Sequence, residues 1–408
     1  MESIRRNHYS KTQKILCVLF IIYPFFDIFF TYITKNDGVL TMHVCFCAIL
    51  IGLIVGEKCF YNKIVPHISY FVFVMIWIFC IGIDIIKADD LEGISYGLKA
   101  LSLMILLHYF WKNDFYNVFS RELERHVWLW TLVNIGVFVV VLLSVSQGGI
   151  YSHWGTTSLT GPYLLNHTLA YLMLFIVCGD LYLWIKKTKG IMLLCAGISL
   201  IIMLLTGVRT IIIPITYLGW IYAKRKGVRG FLYTLFLGIC GIVLLYRTGV
   251  LNTLIEKTVY AALNGSVSNG RFNIWKSSFN AYLTSGDIWN YLTGICVNGL
   301  KSYNNLHIGF NIHAHNDIVT IFVAFGPLAV VVFMYTFFKY LRDYATVFFL
   351  FPLLFFNGFI TYGQAVILFV FGVVLIQYGM EGIRAVRCKD RDGSKTSVKI
   401  ANTIKGRP

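Results

Sequence analysis

The stretch "FNIHAHNDIVTIFVAFGPLAVVVF", residues 310–333, sets two histidines, an asparagine and an aspartate directly before a long apolar run. His313 and His315 are candidate proton acceptors, because imidazole titrates near neutral pH. Asn316 and Asp317 stand where a helix would begin. A helix N-terminus offers free N–H groups and a positive dipole end to an anion. Two arginines stand in equally unusual places. Arg209 lies in "LLTGVRTIIIPI", a tight turn between apolar runs, and arginine there normally faces a partner or a wet cavity. Arg271 opens "RFNIWKSSFNAYL". Both can grip a phosphate through the planar guanidinium fork. A further stretch, "HWGTTSLTGPYLLNH" (153–167), carries hydroxyls and glycine but no Asp, Glu, Lys or Arg, and could line a sugar site or simply turn the chain. Each feature also has a plainer reading. Asn316 or Asp317 could merely cap the helix, the histidines could be interfacial, and Arg209 could snorkel to the membrane surface. His313 and His315, at i and i+2 with no Cys or Glu beside them, make a poor metal site, and none is expected.

The elements that must position these residues are set by composition. Of the 408 residues, 57% are hydrophobic and 13% charged. A soluble globular chain carries about 25% charged residues. Apolar runs near 20 residues recur along the whole length, each able to cross roughly 30 Å of hydrocarbon as a helix. The expected fold is an all-α polytopic membrane protein with twelve spans: 15–33, 39–56, 64–86, 93–111, 127–145, 163–185, 190–206, 210–223, 230–246, 317–338, 345–360 and 364–380. With the N-terminus in the cytoplasm, the inside segments hold 26 of the 35 lysines and arginines, including "KKTK" (186–189) and "KRKGVR" (224–229). Both termini are therefore expected in the cytoplasm. The organisation is a tail (1–14), nine spans (15–246), a large external loop (247–316), three spans (317–380) and a basic tail (381–408). The net charge of +16 is explained by topology and anionic lipid, and calls for no nucleic acid. The ten cysteines offer no disulfide framework and no CxxC pair; only Cys296 falls in an outside loop.

The 247–316 loop is too long and too aromatic to be a simple linker. Helical spacing over 274–283 predicts an amphipathic helix near the outer surface. Arg247, Lys257, Arg271, Lys276 and Lys301 outnumber Glu256 and Asp287 in this loop, against the positive-inside trend. Such a bias suggests an anionic ligand, although Lys257 and Lys301 read better as solvated surface.

"LLTGVRT", "SNGRFNIWKSSFNAY" (268–282) and "HAHNDIVTIFVAFGPLAVVVF", in that order, resemble the marks of the bacterial O-antigen ligase and polymerase superfamily. "GTTSLTGPYLLNHTLAYLM" (155–173) resembles its glycine-containing external segment. The resemblance covers about residues 150–340. It implies a membrane-glycosyltransferase fold and transfer of a glycan from undecaprenyl diphosphate outside the cytoplasmic membrane, with no metal or cofactor. It assigns Arg209, Arg271 and Asn316 to the diphosphate and His315 to the base, with His313 in reserve. The implied partners are the lipid-linked oligosaccharide, membrane lipid, and possible companions such as a flippase and a chain-length regulator. A glycine-bearing segment before the His-Asn helix, an Asp after the Asn, and an only mildly basic loop favour a polymerase of O-antigen or capsule repeat units. The alternatives are an O-antigen ligase acting on lipid A-core and, in another class, a lipid-linked sugar flippase. The flippase is disfavoured because the two halves of the chain show no internal repeat.

Overall fold

In the computed structural model of the protein, residues 11–34, 68–88, 91–113, 115–153, 156–187, 189–263, 270–340, 355, 358 and 360 are described. Spans 39–56 and 364–380, most of 345–360, residues 1–10 of the N-terminal tail and the C-terminal tail lie outside them. The described chain is almost wholly helical. Its elements are α1 (Lys11–Thr34), α2 (Ile68–Ala88), α3 (Leu91–Asn113), α4 (Phe115–Arg125), α5 (Val127–Ser146), β1 (Ile150–His153), β2 (Thr156–Leu159), α6 (Asn166–Lys187), α7 (Gly190–Leu205), a 3-10 turn (Arg209–Ile211), α8 (Ile212–Arg247), α9 (Asn252–Leu263), α10 (Arg271–Leu283), α11 (Ile288–Thr293), α12 (Val297–Ile308) and α13 (Asp317–Tyr340).

Among the described residues, four helices are long and apolar enough to cross a membrane: Gln13–Thr34, Val127–Ser146, Asn166–Lys187 and Asp317–Phe338. A fifth is possible if Gly238–Arg247 and Asn252–Tyr260, bent by 83°, form one broken span. The protein is thus an all-α membrane protein, with one departure from the expected helices and loops. Part of the hydroxyl-rich 153–167 stretch belongs to an antiparallel hairpin, with Ile150 opposite Leu159 and His153 opposite Thr156.

The expected spans 210–223 and 230–246 fall in α8, an assigned helix of 36 residues. A straight rod of that length would measure about 54 Å. Yet a Cβ built on Gly207, just before α8, would lie 2.7 Å from Thr253 Cγ2, just after it. The chain therefore turns back between Ile212 and Arg247.

The core is aromatic and includes a few buried polar groups that are paired, as burial requires. Trp77, Trp130, Phe175, Phe325 and Phe333 are fully buried. Trp130 Nε1 and Asn134 Nδ2 of α5 both donate to Asp180 Oδ1 of α6, at 2.7 and 2.6 Å. Gly179 lets the Trp130 ring approach; a Cβ there would come within 2.5 Å of it.

Helix α13 is broken at Gly326, where φ is 85° and ψ is 173°. The break frees backbone groups, and the segment after α11 takes them up. Ile295 N donates to Val323 O at 2.9 Å, and Cys296 N donates to Ala324 O at 3.1 Å. The backbones meet so closely that only glycine fits on either side. A Cβ on Gly294 would lie 2.2 Å from Ala324 O, and one on Gly326 would lie 2.4 Å from Leu292 O. Lys87, at the end of α2, holds α11 by donating to Asn290 Oδ1, Thr293 Oγ1 and Gly294 O at 2.7–2.8 Å. We expect Gly326→Ala to lower thermal stability in detergent, since backbone strain alone costs about 1–3 kcal/mol. Gly241→Ala, with open space around a Cβ, should be neutral or stabilising. Equal melting temperatures for Gly326→Ala and the parent would refute the interlock.

Candidate functional site

Helix ends and loops meet at one end of the bundle. Tyr32 and Gln147 pair there at 2.7 Å, and Lys301 of α12 binds Glu92 of α3 at 2.6 Å. Asn166 Nδ2, at the start of α6, donates to Thr206 O in the turn carrying Arg209, also at 2.7 Å. These are the segments that the charge bias expects on the outside.

Asn316 is fully buried and caps α13. Its Oδ1 accepts from Ile318 N at 3.0 Å and Val319 N at 3.1 Å. The plain capping role is therefore real for the oxygen. The Asn316 Nδ2 is buried with no hydrogen-bond partner among the described residues, so a donor remains for a ligand. Asp317 faces away from this role: Tyr96 Oη donates to its Oδ1 at 2.7 Å and Ile360 N to its Oδ2 at 3.0 Å. It ties α13 to α3 and to the chain beyond.

His315 sits in the left-handed region, with φ at 50°, where few residues other than glycine settle. Burial and the nearby Arg271 and His313 charges push its imidazole down to about 4. It is therefore neutral at pH 7 and able to accept a proton. His313 is differently employed. Its Nε2 meets Glu92 Oε1 at 3.1 Å. Hydrogen bonding from His313, with Lys301 adding to it and burial opposing, holds the Glu92 carboxyl down at about 2. Glu92 thus anchors the His313 loop and α12 together.

Arg271 is the first residue of α10, placed by Gly270 in a left-handed turn with φ at 74°. The expected amphipathic helix 274–283 is the body of this element. Its Tyr282 packs on Phe322 of α13, ring centroids 4.8 Å apart, which fixes Arg271 relative to His315. His167, near the start of α6, lies within charge reach of Arg271, His315 and Lys257. Lys257 in turn feels Arg209. The predicted residues Arg271, His315 and His313 are thus brought together, with Asn316 next in chain, and Arg209 joins them through Lys257 and His167.

Two expectations need correction. Lys257 and Lys301 are not solvated surface: Lys257 Nζ donates to Ser158 Oγ at 2.5 Å, and Lys301 is ion-paired with Glu92. Sequence reasoning also passed over His167 and Glu92. The signal for His167 was weak but present, a histidine two residues into an apolar span beside the hydroxyl-rich stretch. Glu92 offered only its place as the last of three acids, after Asp89 and Asp90, opening an apolar run.

These features define a membrane protein whose helix ends gather cations and imidazoles around one buried cap. A family model described as "O-Antigen ligase" matches residues 193–334. That segment of the chain, which holds Arg209, Lys257, Arg271, His313 and His315, is similar to that family, and the match supports the O-antigen ligase and polymerase superfamily, whose members are glycosyltransferase-like enzymes. No curated protein and no solved structure matches the chain.

If His315 is the base, His315→Ala should cut the rate of glycan transfer by about 10²–10⁴ at matched protein levels. His313→Ala should lose less. The acid limb of kcat/KM should lie well below the usual imidazole value of about 6.5, because protonation of His315 is opposed until about pH 4. Full activity of His315→Ala would remove the assignment. Arg271→Lys and Arg209→Lys retain charge but lose the fork. Both should be impaired in the same assay, and the Ala variants more so; wild-type rates for both Lys variants would argue against phosphate gripping.

Proposed function

We propose that the protein is a metal-independent polysaccharide polymerase. It joins undecaprenyl-diphosphate-linked repeat units, of O-antigen or capsule, on the outer face of the bacterial cytoplasmic membrane, with both termini in the cytoplasm. The observation that carries the reading is the meeting of Arg271 and His315 at the start of α13. One is a permanent cation, the other a neutral base, and they act on each other electrostatically.

In the proposed step an acceptor sugar hydroxyl attacks the anomeric carbon of the donor glycan. The new C–O bond forms as the bond from that carbon to the diphosphate oxygen breaks. His315 takes the hydroxyl proton. The electron pair leaves on the diphosphate, whose charge is met by Arg209, Arg271 and the α13 N-terminus with Asn316 Nδ2. Arginines are suited to this because fixed cations need no reorganisation as charge develops. The lipid tail would lie in the bilayer beside the bundle.

Polymerase is favoured over ligase by where the cations stand. Lys301 is spent on Glu92 and Lys87 on α11. Lys257 and the arginines are drawn into one site. Of the loop's five bases, that leaves Arg247 and Lys276 exposed, a small spread of charge for a bulky, phosphorylated lipid A-core acceptor. The ligase remains the second reading because the matching family model carries that description. A deletion strain of an O-antigen-producing host separates them. Loss of a polymerase is expected to leave lipid A-core bearing a single repeat unit. Bare core with long glycan accumulating on its polyprenyl carrier would overturn the choice and establish the ligase.

A further inference from the structure

Lys257 belongs to α9, outside every motif that pointed to the site, yet its amine is built into it. Two independent features hold it there. Its Nζ donates to Ser158 Oγ on strand β2 at 2.5 Å. It also lies over Gly207 in the turn that carries Arg209: a Cβ on Gly207 would meet Nζ at 2.9 Å. Gly207 has φ at 66°, so glycine is favoured there by conformation as well as by space. Lys257 is also near enough to Arg209 and to His167 to act on each electrostatically. Among the described residues its hydrogen-bond partner is a neutral hydroxyl. Two cations brought together without a described carboxylate between them repel, and an anion bound between them would relieve the cost.

We propose that Lys257 is a third cation of the diphosphate site, parked on Ser158 when no donor is bound and transferred to a phosphate oxygen when it is. The inference rests on the polyprenyl-diphosphate reading above and extends it to a residue and a strand not otherwise assigned. Lysine suits the role, since its point charge on a flexible stem can exchange one acceptor for another. The hairpin then has a defined part: Ser158 holds the amine at the ready.

The test uses full-length protein in detergent, titrated with undecaprenyl diphosphate, which carries no glycan and does not turn over. Lys257→Met is expected to weaken binding roughly 10- to 100-fold, as loss of a charge-assisted hydrogen bond does. Ser158→Ala should leave affinity unchanged or tighten it, because the competing acceptor is gone. Lys276→Met, which removes an exposed lysine of α10, should change nothing. If Lys257→Met binds like the parent, Lys257 is not a ligand. If Ser158→Ala weakens binding as much as Lys257→Met, the pair is a strut for the hairpin and the proposal falls. If the parent itself does not bind undecaprenyl diphosphate, the donor reading falls and takes this one with it. A second measurement needs no variant. Inorganic diphosphate should slow reductive methylation of Lys257 in the parent while sparing Lys276; equal slowing at both, or none at Lys257, overturns the proposal.

Discussion

Backbone hydrogen bonding at the break in α13 is the constraint on which the rest of the site depends. A helix interrupted within an apolar span leaves N–H and C=O groups that lipid cannot satisfy. Here the segment Leu292–Cys296 supplies the missing partners, and glycines at 294 and 326 let the two backbones touch. The consequence reaches outward. Once α11 is locked against α13, α12 is placed, and Lys301 can reach Glu92. Glu92 then holds His313, two residues before His315. Tyr282 on Phe322 sets α10 against the same helix, and with it Arg271. The segment between α9 and α13 therefore extends the helical bundle and orients the charged site on it.

Electrostatics follows from that placement. Positive groups at this end fall into two sets. Lys87 and Lys301 are bound to acceptors of the protein and act as ties. Arg209, Lys257, Arg271 and the α13 N-terminus converge, with imidazoles among them. Mutual repulsion in such a cluster is a standing cost to the fold, and it is relieved by a bound anion. Burial, with the nearby Arg271 and His313 charges, keeps His315 unprotonated, so on the proposed reading the environment that would receive an anionic leaving group also prepares the base.

Much of this was legible in the sequence, for physical reasons. Long apolar helices have a strong period and a strong composition, so the expected runs 127–145, 163–185, 190–206 and 317–338 lie close to the helices Val127–Ser146, Asn166–Lys187, Gly190–Leu205 and Asp317–Tyr340. His315, Arg209 and Arg271 stood out because polar groups at the edges of such runs are rare. What stayed hidden depends on tertiary contact. The break at Gly326 was masked by a high apolar average, although Gly326-Pro327 is a breaker pair. Lys257 and Lys301 looked like ordinary surface charges, and only the folded loop shows that one meets Ser158 and the other Glu92. His167 carried no local mark of its neighbours, which come from three distant parts of the chain. The amphipathic α4 sits in what had read as a short inside loop, its apolar face too brief to count as a span.

The backbone of His315 sets up a conflict between two kinds of fitness. A left-handed conformation is cheap for glycine or asparagine and costs histidine about 1–2 kcal/mol. If His315 is the catalytic base, selection for a more robust fold and selection for catalysis would choose different amino acids at this one position. A lineage released from the need to transfer glycan would be free to lose the imidazole and gain stability, so the residue at 315 would mark which descendants still carry out the chemistry.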